Sequence, residues 1–241
     1  MKKNLMIFAS IFAFQWLHIT SLSAQTCCER KKDGDSTTHT GEVKSRNMFT
    51  TSDFGILLGL NNWDNATETP ELNQLGSRFF ALDWRHNDRL FTGKQIDFAL
   101  GSGVQIAWNN FMLENDTRFT ERLDGTSTFQ TLLLPVEKSK LTVARVEIPV
   151  LLQVGFKESG LHLGFGVYGG LRVNSYQKLK SSRDEDERVK EDFNLNPFNY
   201  GFLAEAGRKN GIKLFAKYDM TTAFRDTNAM NGQVFSAGLR F

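Results

Sequence analysis

Cysteine is nearly absent: the chain has two in 241 residues, and they are neighbours, Cys27 and Cys28. Adjacent cysteines without a distant partner close no loop, which excludes the disulfide framework of a small secreted fold. Net charge is also lacking. Lys and Arg number 29 against 27 Asp and Glu, leaving +2 and no basic surface of the kind that holds nucleic acid. No phosphate-binding glycine loop occurs, because the glycines of Gly101 to Gly103 and Gly164 to Gly170 fall at strand spacing. Four histidines are present, and neither of those in strand-like segments, His86 and His162, has a serine spaced for nucleophilic catalysis. These absences exclude a disulfide scaffold and argue against a nucleic-acid binder and a Ser–His hydrolase. The expectation is no enzyme, no catalytic residue, no cofactor and no metal.

What is present begins with an export signal. Lys2 and Lys3 precede the apolar stretch Leu5 to Phe14, followed by small polar residues through Ser21, Ser23 and Ala24, the order of a secretory signal peptide. Gln15 and His18 interrupt the stretch well short of the ~20 apolar residues of a membrane-spanning helix. The expected organisation is a signal peptide over 1–25, a flexible leader over 26–50 and one domain over 51–241. The leader reading rests on Glu29 to Asn47, which is charged, rich in Thr and Ser and nearly free of large apolar groups. Lipid attachment at Cys27 is the alternative use of that cysteine, and Ala24-Gln25-Thr26 matches poorly the small residues expected before it.

From Ser52 onward apolar residues recur at every second position. Ile96, Phe98, Leu100, Val104, Ile106 and Trp108 share one face, with Asp97, Ala99, Gly101, Gly103, Gln105, Ala107 and Asn109 on the other. A helix would scatter both sets around its circumference. The same alternation marks segments beginning at Phe54, Phe80, Val146, Leu161, Phe198 and Ile212, and the final one from Val234 to Phe241. Eight such strands predict an all-β fold, an antiparallel up-and-down transmembrane β-barrel. Its average hydropathy of −0.34 is no objection, since half of each strand faces a polar lumen.

Loop lengths support this. Lys157-Glu158-Ser159-Gly160 and Arg208-Lys209-Asn210-Gly211 are tight turns, and Asn87 to Gln95 is expected as a somewhat longer link. Asn61 to Ser77, Asn110 to Lys140, Ser175 to Asn196 and Thr221 to Gly232 are long. Short turns at one end and long loops at the other are the outer-membrane pattern, with the long loops outside. Lipid offers no hydrogen-bond partner to an open sheet edge, so the last strand should seal against Phe54 to Leu60. On that strand Phe235, Ala237, Leu239 and Phe241 share one face, which resembles the C-terminal signal read by the barrel-assembly machinery.

With the apolar faces outward, the lumen should hold Asp83, Arg85, Asp97, Glu147, His162, Arg172, Glu205, Lys213, Lys217, Asp219 and Arg240. Eight strands leave an interior that side chains can fill. A charge-paired, filled lumen is therefore expected, with Glu147 paired to Arg172, Lys213 or Lys217.

Arg145-Val146-Glu147-Ile148-Pro149-Val150-Leu151-Leu152-Gln153 resembles a strand of the PorT-like outer-membrane β-barrel family common in Bacteroidetes. Gly164 to Gly170, Asn199-Tyr200-Gly201 and Gly238-Leu239-Arg240-Phe241 extend the resemblance, with Arg145 standing where that family usually has an aromatic. The resemblance implies the barrel fold, the cell outer membrane and a possible link to protein secretion. The expected role is a structural or interaction barrel, monomeric, contacting outer-membrane lipid and envelope or secretion-system proteins through its long loops. A narrow pore or transporter for small solutes, or an outer-membrane enzyme, are the alternatives. The mixed-charge run Ser182 to Glu191 reads as a solvated loop tip, and the triplets Asn65-Ala66-Thr67 and Asn115-Asp116-Thr117 carry no weight in a bacterial export product.

Overall fold

Period-two alternation becomes a ring of strands. The computed structural model describes residues 47–67, 71–114, 117–121, 127–131, 136–181, 187–225 and 231–241. The expected signal peptide, and the leader up to residue 46 with Cys27 and Cys28, lie outside the described residues. The strands are β1 (Ser52–Thr67), β2 (Arg78–Thr92), β3 (Ile96–Leu113), β4 (Thr117–Glu121), β5 (Ser127–Thr131), β6 (Val136–Phe156), β7 (Leu161–Ser181), β8 (Glu187–Val189), β9 (Phe198–Arg208), β10 (Lys213–Thr222) and β11 (Asn231–Arg240). Eight of them close antiparallel in the order β1-β2-β3-β6-β7-β9-β10-β11 and back to β1. β8 extends one edge of β7, and β4 with β5 forms a separate hairpin.

The seam is where the sequence placed it. Leu57 pairs with Arg240, Gly59 with Gly238 and Asn61 with Ser236. Ile56 N donates to Phe241 O at 3.1 Å and Phe241 N to Ile56 O at 2.9 Å, so the last residue is tied into the closure. Pro149 sits inside β6 although it has no N–H to donate. The β3–β6 ladder skips the two positions Gly103/Pro149 and Val104/Ile148 and resumes at Gln105 and Glu147 in unchanged register, so the proline interrupts the ladder without a slip.

Two expectations are corrected. The link Asn87 to Gln95 is not a loop: β2 runs to Thr92, and a register shift between Arg89 and Phe91 leaves Leu90 as an extra residue. That bulge throws the alternation out of phase, so an apolar count misses the strand beyond it. The second shift lies in β7, where Ala144 faces Asn174 but Arg145 faces Arg172. Val173 is the extra residue, and past it the inward set changes phase: Asn174, which plain alternation from His162 and Arg172 puts inside, is exposed, while Ser175 and Gln177 are buried. The strands also run farther than expected. β6 and β7 have 21 residues each, about 70 Å along the chain and about 50 Å along a tilted barrel axis, against an apolar band of ~25 Å. The surplus carries a β-ribbon beyond the band on the long-loop side.

The outward face is apolar where the ring is regular. Phe54, Ile56, Leu58, Trp84, Ile148, Leu152, Phe165, Val167, Phe202, Leu214, Phe235 and Leu239 are all exposed. In water such a continuous apolar surface would drive aggregation; in lipid it is the solvated state. Phe165 and Phe202 stack at 5.9 Å and Phe54 meets Trp84 edge-on at 6.4 Å within this belt.

Candidate functional site in the lumen and outer mouth

Alternation turns every second residue inward, and along β10 the inward order is Lys213, Phe215, Lys217, Asp219. That order, charged then apolar then charged, repeats around the ring and stacks the lumen in layers. The layer nearest the short turns holds Asp53, Asp83, Glu205, Arg85, Arg240 and Lys213. Arg85 Nη2 lies 2.8 Å from Asp83 and 2.7 Å from Glu205, both within the buried interior. Arg240 bridges Asp83 through Nε at 3.1 Å and Asp53 through Nη2 at 2.9 Å, and Lys213 reaches Asp53 at 3.6 Å. Three carboxylates against three cations leave the layer neutral, which is what permits burial of each charge.

Leu57, Phe79, Ala81, Ala107, Leu151, Leu203, Phe215 and Tyr168 form an apolar layer above it, with Phe79 and Phe215 rings 5.4 Å apart. Beyond this lies a second charged layer. Lys217 is held by Glu147 and by Gln105 Oε1 at 2.9 Å, with its ammonium 4.1 Å over the Tyr168 ring. Arg145 Nη1 pairs with Asp219 at 2.9 Å, Tyr168 donates its hydroxyl to the same carboxylate, and Asn199 Nδ2 donates to Glu147 at 2.9 Å.

The long-loop mouth is sealed by side chains. Trp63, Phe111, Leu113, Phe119, Leu141, Val143, Phe193, Leu195, Ala223, Phe224 and Val234 make one buried cluster, with Trp63 and Phe111 rings 5.1 Å apart. Phe193 and Leu195 enter it from the segment between β8 and β9. Phe193 and Asn194 have φ of 51° and 49°, a conformation a bulky aromatic adopts only when its surroundings enforce it. The enforcement is a latch at Asp192. Arg172 binds its carboxylate and, through Nη1, its backbone oxygen at 3.1 Å; Arg225 Nη2 binds the other carboxylate oxygen at 2.9 Å. Asp192→Ala should release Arg225, leave Arg172 only the backbone oxygen and Ser175, and cost about 1 kcal/mol, the site being half-exposed. Hydrogen exchange should then quicken at residues 193–196 while barrel amides keep their protection; unchanged exchange there would show that the latch holds nothing.

The structure therefore divides the residues expected in one network. Asp83, Arg85, Glu205, Lys213 and Arg240 meet in the first layer, and Glu147, Lys217 and Asp219 in the second. Asp97 sits at the short-turn mouth, 3.0 Å from Lys157. Arg172 lies outside both layers and does not reach Glu147, because it stands at the Val173 bulge beside the outer latch. Arg145, Gln105, Tyr168 and Asn199 were not counted in the network, yet they complete the second layer. Arg145 was findable, since it precedes Glu147 by two residues and so shares its face. Among the described residues no group of three or more His, Cys, Asp or Glu side chains is placed to hold a metal ion.

Comparison with known proteins adds a family. The outer membrane protein beta-barrel domain family matches residues 50–228. Comparison with curated proteins gives no match. Among solved structures, the chain is similar to Ail, the attachment invasion locus protein of Yersinia pestis, in complex with the heparin analogue sucrose octasulfate. That pair has 14% identity and a TM-score of 0.32 over 79% of this chain and 97% of that one. A second structure of the same protein gives 14% identity and 0.28 over the same shares. With the family matched over most of its length, and the matched region closing as an eight-stranded ring with an apolar exterior, this chain belongs to the outer membrane protein beta-barrel domain family.

Proposed function

We propose that this outer-membrane barrel is a filled, non-conducting scaffold that works as an interaction protein through its extended long-loop end. The observation that carries the reading is the layering of the lumen: two neutral charged layers flank an apolar layer, and an apolar cluster caps the outer mouth. An ion entering such an interior would have to displace side chains already paired at 2.7 to 2.9 Å and would gain no hydration in return. The long strands support the same view from outside, since β6 and β7 carry a ribbon well past the apolar belt. Monomeric residence in the membrane, contact with envelope proteins and absence of catalysis belong to this reading. So does membership of the PorT-like branch with a link to protein secretion, for which the Glu147-Ile148-Pro149 strand and the glycines of β7 are the support.

Purified protein in planar bilayers should give no steady conductance above background at 1 M salt. Sustained unitary steps, abolished by a bulky substitution in the lumen, would replace the scaffold reading with a pore.

A further inference from the structure

Of the four residues 47–50 expected in the leader, the middle two are packed into the short-turn mouth of the barrel. Met48 and Phe49 are buried to 6% and 7% exposure, against Ala99. Their backbone is held as well as their side chains. Lys209 donates to Asn47 O, Asp97 Oδ2 accepts from Met48 N at 3.0 Å, and Asn87 donates from Nδ2 to Thr50 O at 2.9 Å and from its own N to Thr51 O at 2.8 Å. The seat is shaped for this occupant. A Cβ on Gly155 would stand 2.6 Å from Met48 Cβ, so only glycine leaves room for the thioether chain. The Phe49 ring meets His162 edge-on at 5.4 Å. His162 is itself fixed through Gln153, 2.9 Å from its Nε2, to Asn87, 2.6 Å farther on.

We propose that this mouth is a peptide-binding site, occupied in cis by residues 47–50, and that it accepts an extended periplasmic peptide bearing two consecutive large apolar side chains. Three backbone groups of the bound segment, Asn47 O, Met48 N and Thr50 O, are read by donors and acceptors of the barrel, and these interactions carry no sequence information. Specificity comes from the Gly155 and His162 sockets, as in other sites that bind extended peptides by main-chain hydrogen bonds and side-chain pockets. A cavity of about 420 Å³ continues beside Met48 and Phe49, so a ligand larger than the native segment also has space. The chain's own segment is joined directly to β1, which keeps its effective concentration at the seat near millimolar. A peptide in trans therefore binds when that segment is removed. This site faces the periplasm and stands independently of the role of the outer loops.

The probe is a fluorescein-labelled octapeptide with the sequence of residues 44–51, read by anisotropy against full-length chains folded in detergent micelles. A chain carrying Met48→Ser and Phe49→Ser should bind it saturably, and the native chain at least tenfold more weakly. Adding Gly155→Leu to the double variant should abolish binding while the folded, heat-modifiable gel mobility persists. A probe with serine at both apolar positions corrects for uptake by micelles. Met48→Ala with Phe49→Ala replaces the serine double variant if that chain does not fold, with the same expectation. Equal binding to native and emptied chains, no binding to the emptied chain, or binding that survives Gly155→Leu would each overturn the proposal.

Discussion

Lys217→Met is expected to cost the barrel about 3–5 kcal/mol, the range for removing one partner of a buried ion pair. Methionine fills nearly the same volume, so the loss is electrostatic. Glu147 would remain in the second charged layer with the Asn199 amide as its one remaining donor in that layer, 2.9 Å away. Gln105 would lose the ammonium that it meets at 2.9 Å. Adding Glu147→Gln to Lys217→Met should recover most of the loss, because a neutral amide in that position leaves no unpaired charge. Equilibrium unfolding by guanidinium in a fixed detergent checks both chains. A single variant within 1 kcal/mol of the parent would show that the pair is hydrated and the layer is not a dry structural element. The same logic holds for Arg85, which serves two carboxylates at once.

Gly238→Val should prevent closure altogether. A Cβ at Gly238 would lie 2.1 Å from Leu58 O and 2.4 Å from Gly59 Cα, both of them backbone atoms of the facing strand. Neither atom can yield without separating β1 from β11, and an opened seam leaves amides in lipid at several kcal/mol each. Gly169→Ala provides the contrast, since its added carbon meets nothing nearer than Asn199 O at 3.9 Å. Refolding yields judged by heat-modifiable gel mobility should fall to near zero for Gly238→Val and stay near the parent for Gly169→Ala. Comparable yields for the two would mean that the seam tolerates spreading and that its glycines serve another purpose.

Much of this was legible beforehand because a strand's two faces are a local property. Whether Asp83, Glu147 or Lys217 points inward depends only on its parity relative to neighbours one and two residues away. Closure was legible too, since an open edge in lipid is unaffordable whatever the side chains are. Asn174 was misplaced by parity at one bulge, and the tail of β2 by another, because an extra residue resets the count without leaving a mark in composition. The seating of Met48 and Phe49 was hidden for a different reason. A charged, Ser- and Thr-rich segment reads as leader, and two apolar residues at its end acquire a meaning only when Gly155, Ala99 and His162 from three separate strands form a socket around them.

The amino-acid sequence by itself determined the strands, their faces, the seam and a lumen with balanced charge, all consequences of period-two alternation in a chain that must hide its edges. Tertiary structure alone decided which charge meets which. Partners such as Arg85 and Glu205, or Lys217 and Glu147, are 120 and 70 residues apart. They meet across the lumen only after strand tilt and stagger have fixed the height of each side chain. The layering, the Asp192 latch and the occupied mouth follow from those heights, which no local pattern encodes.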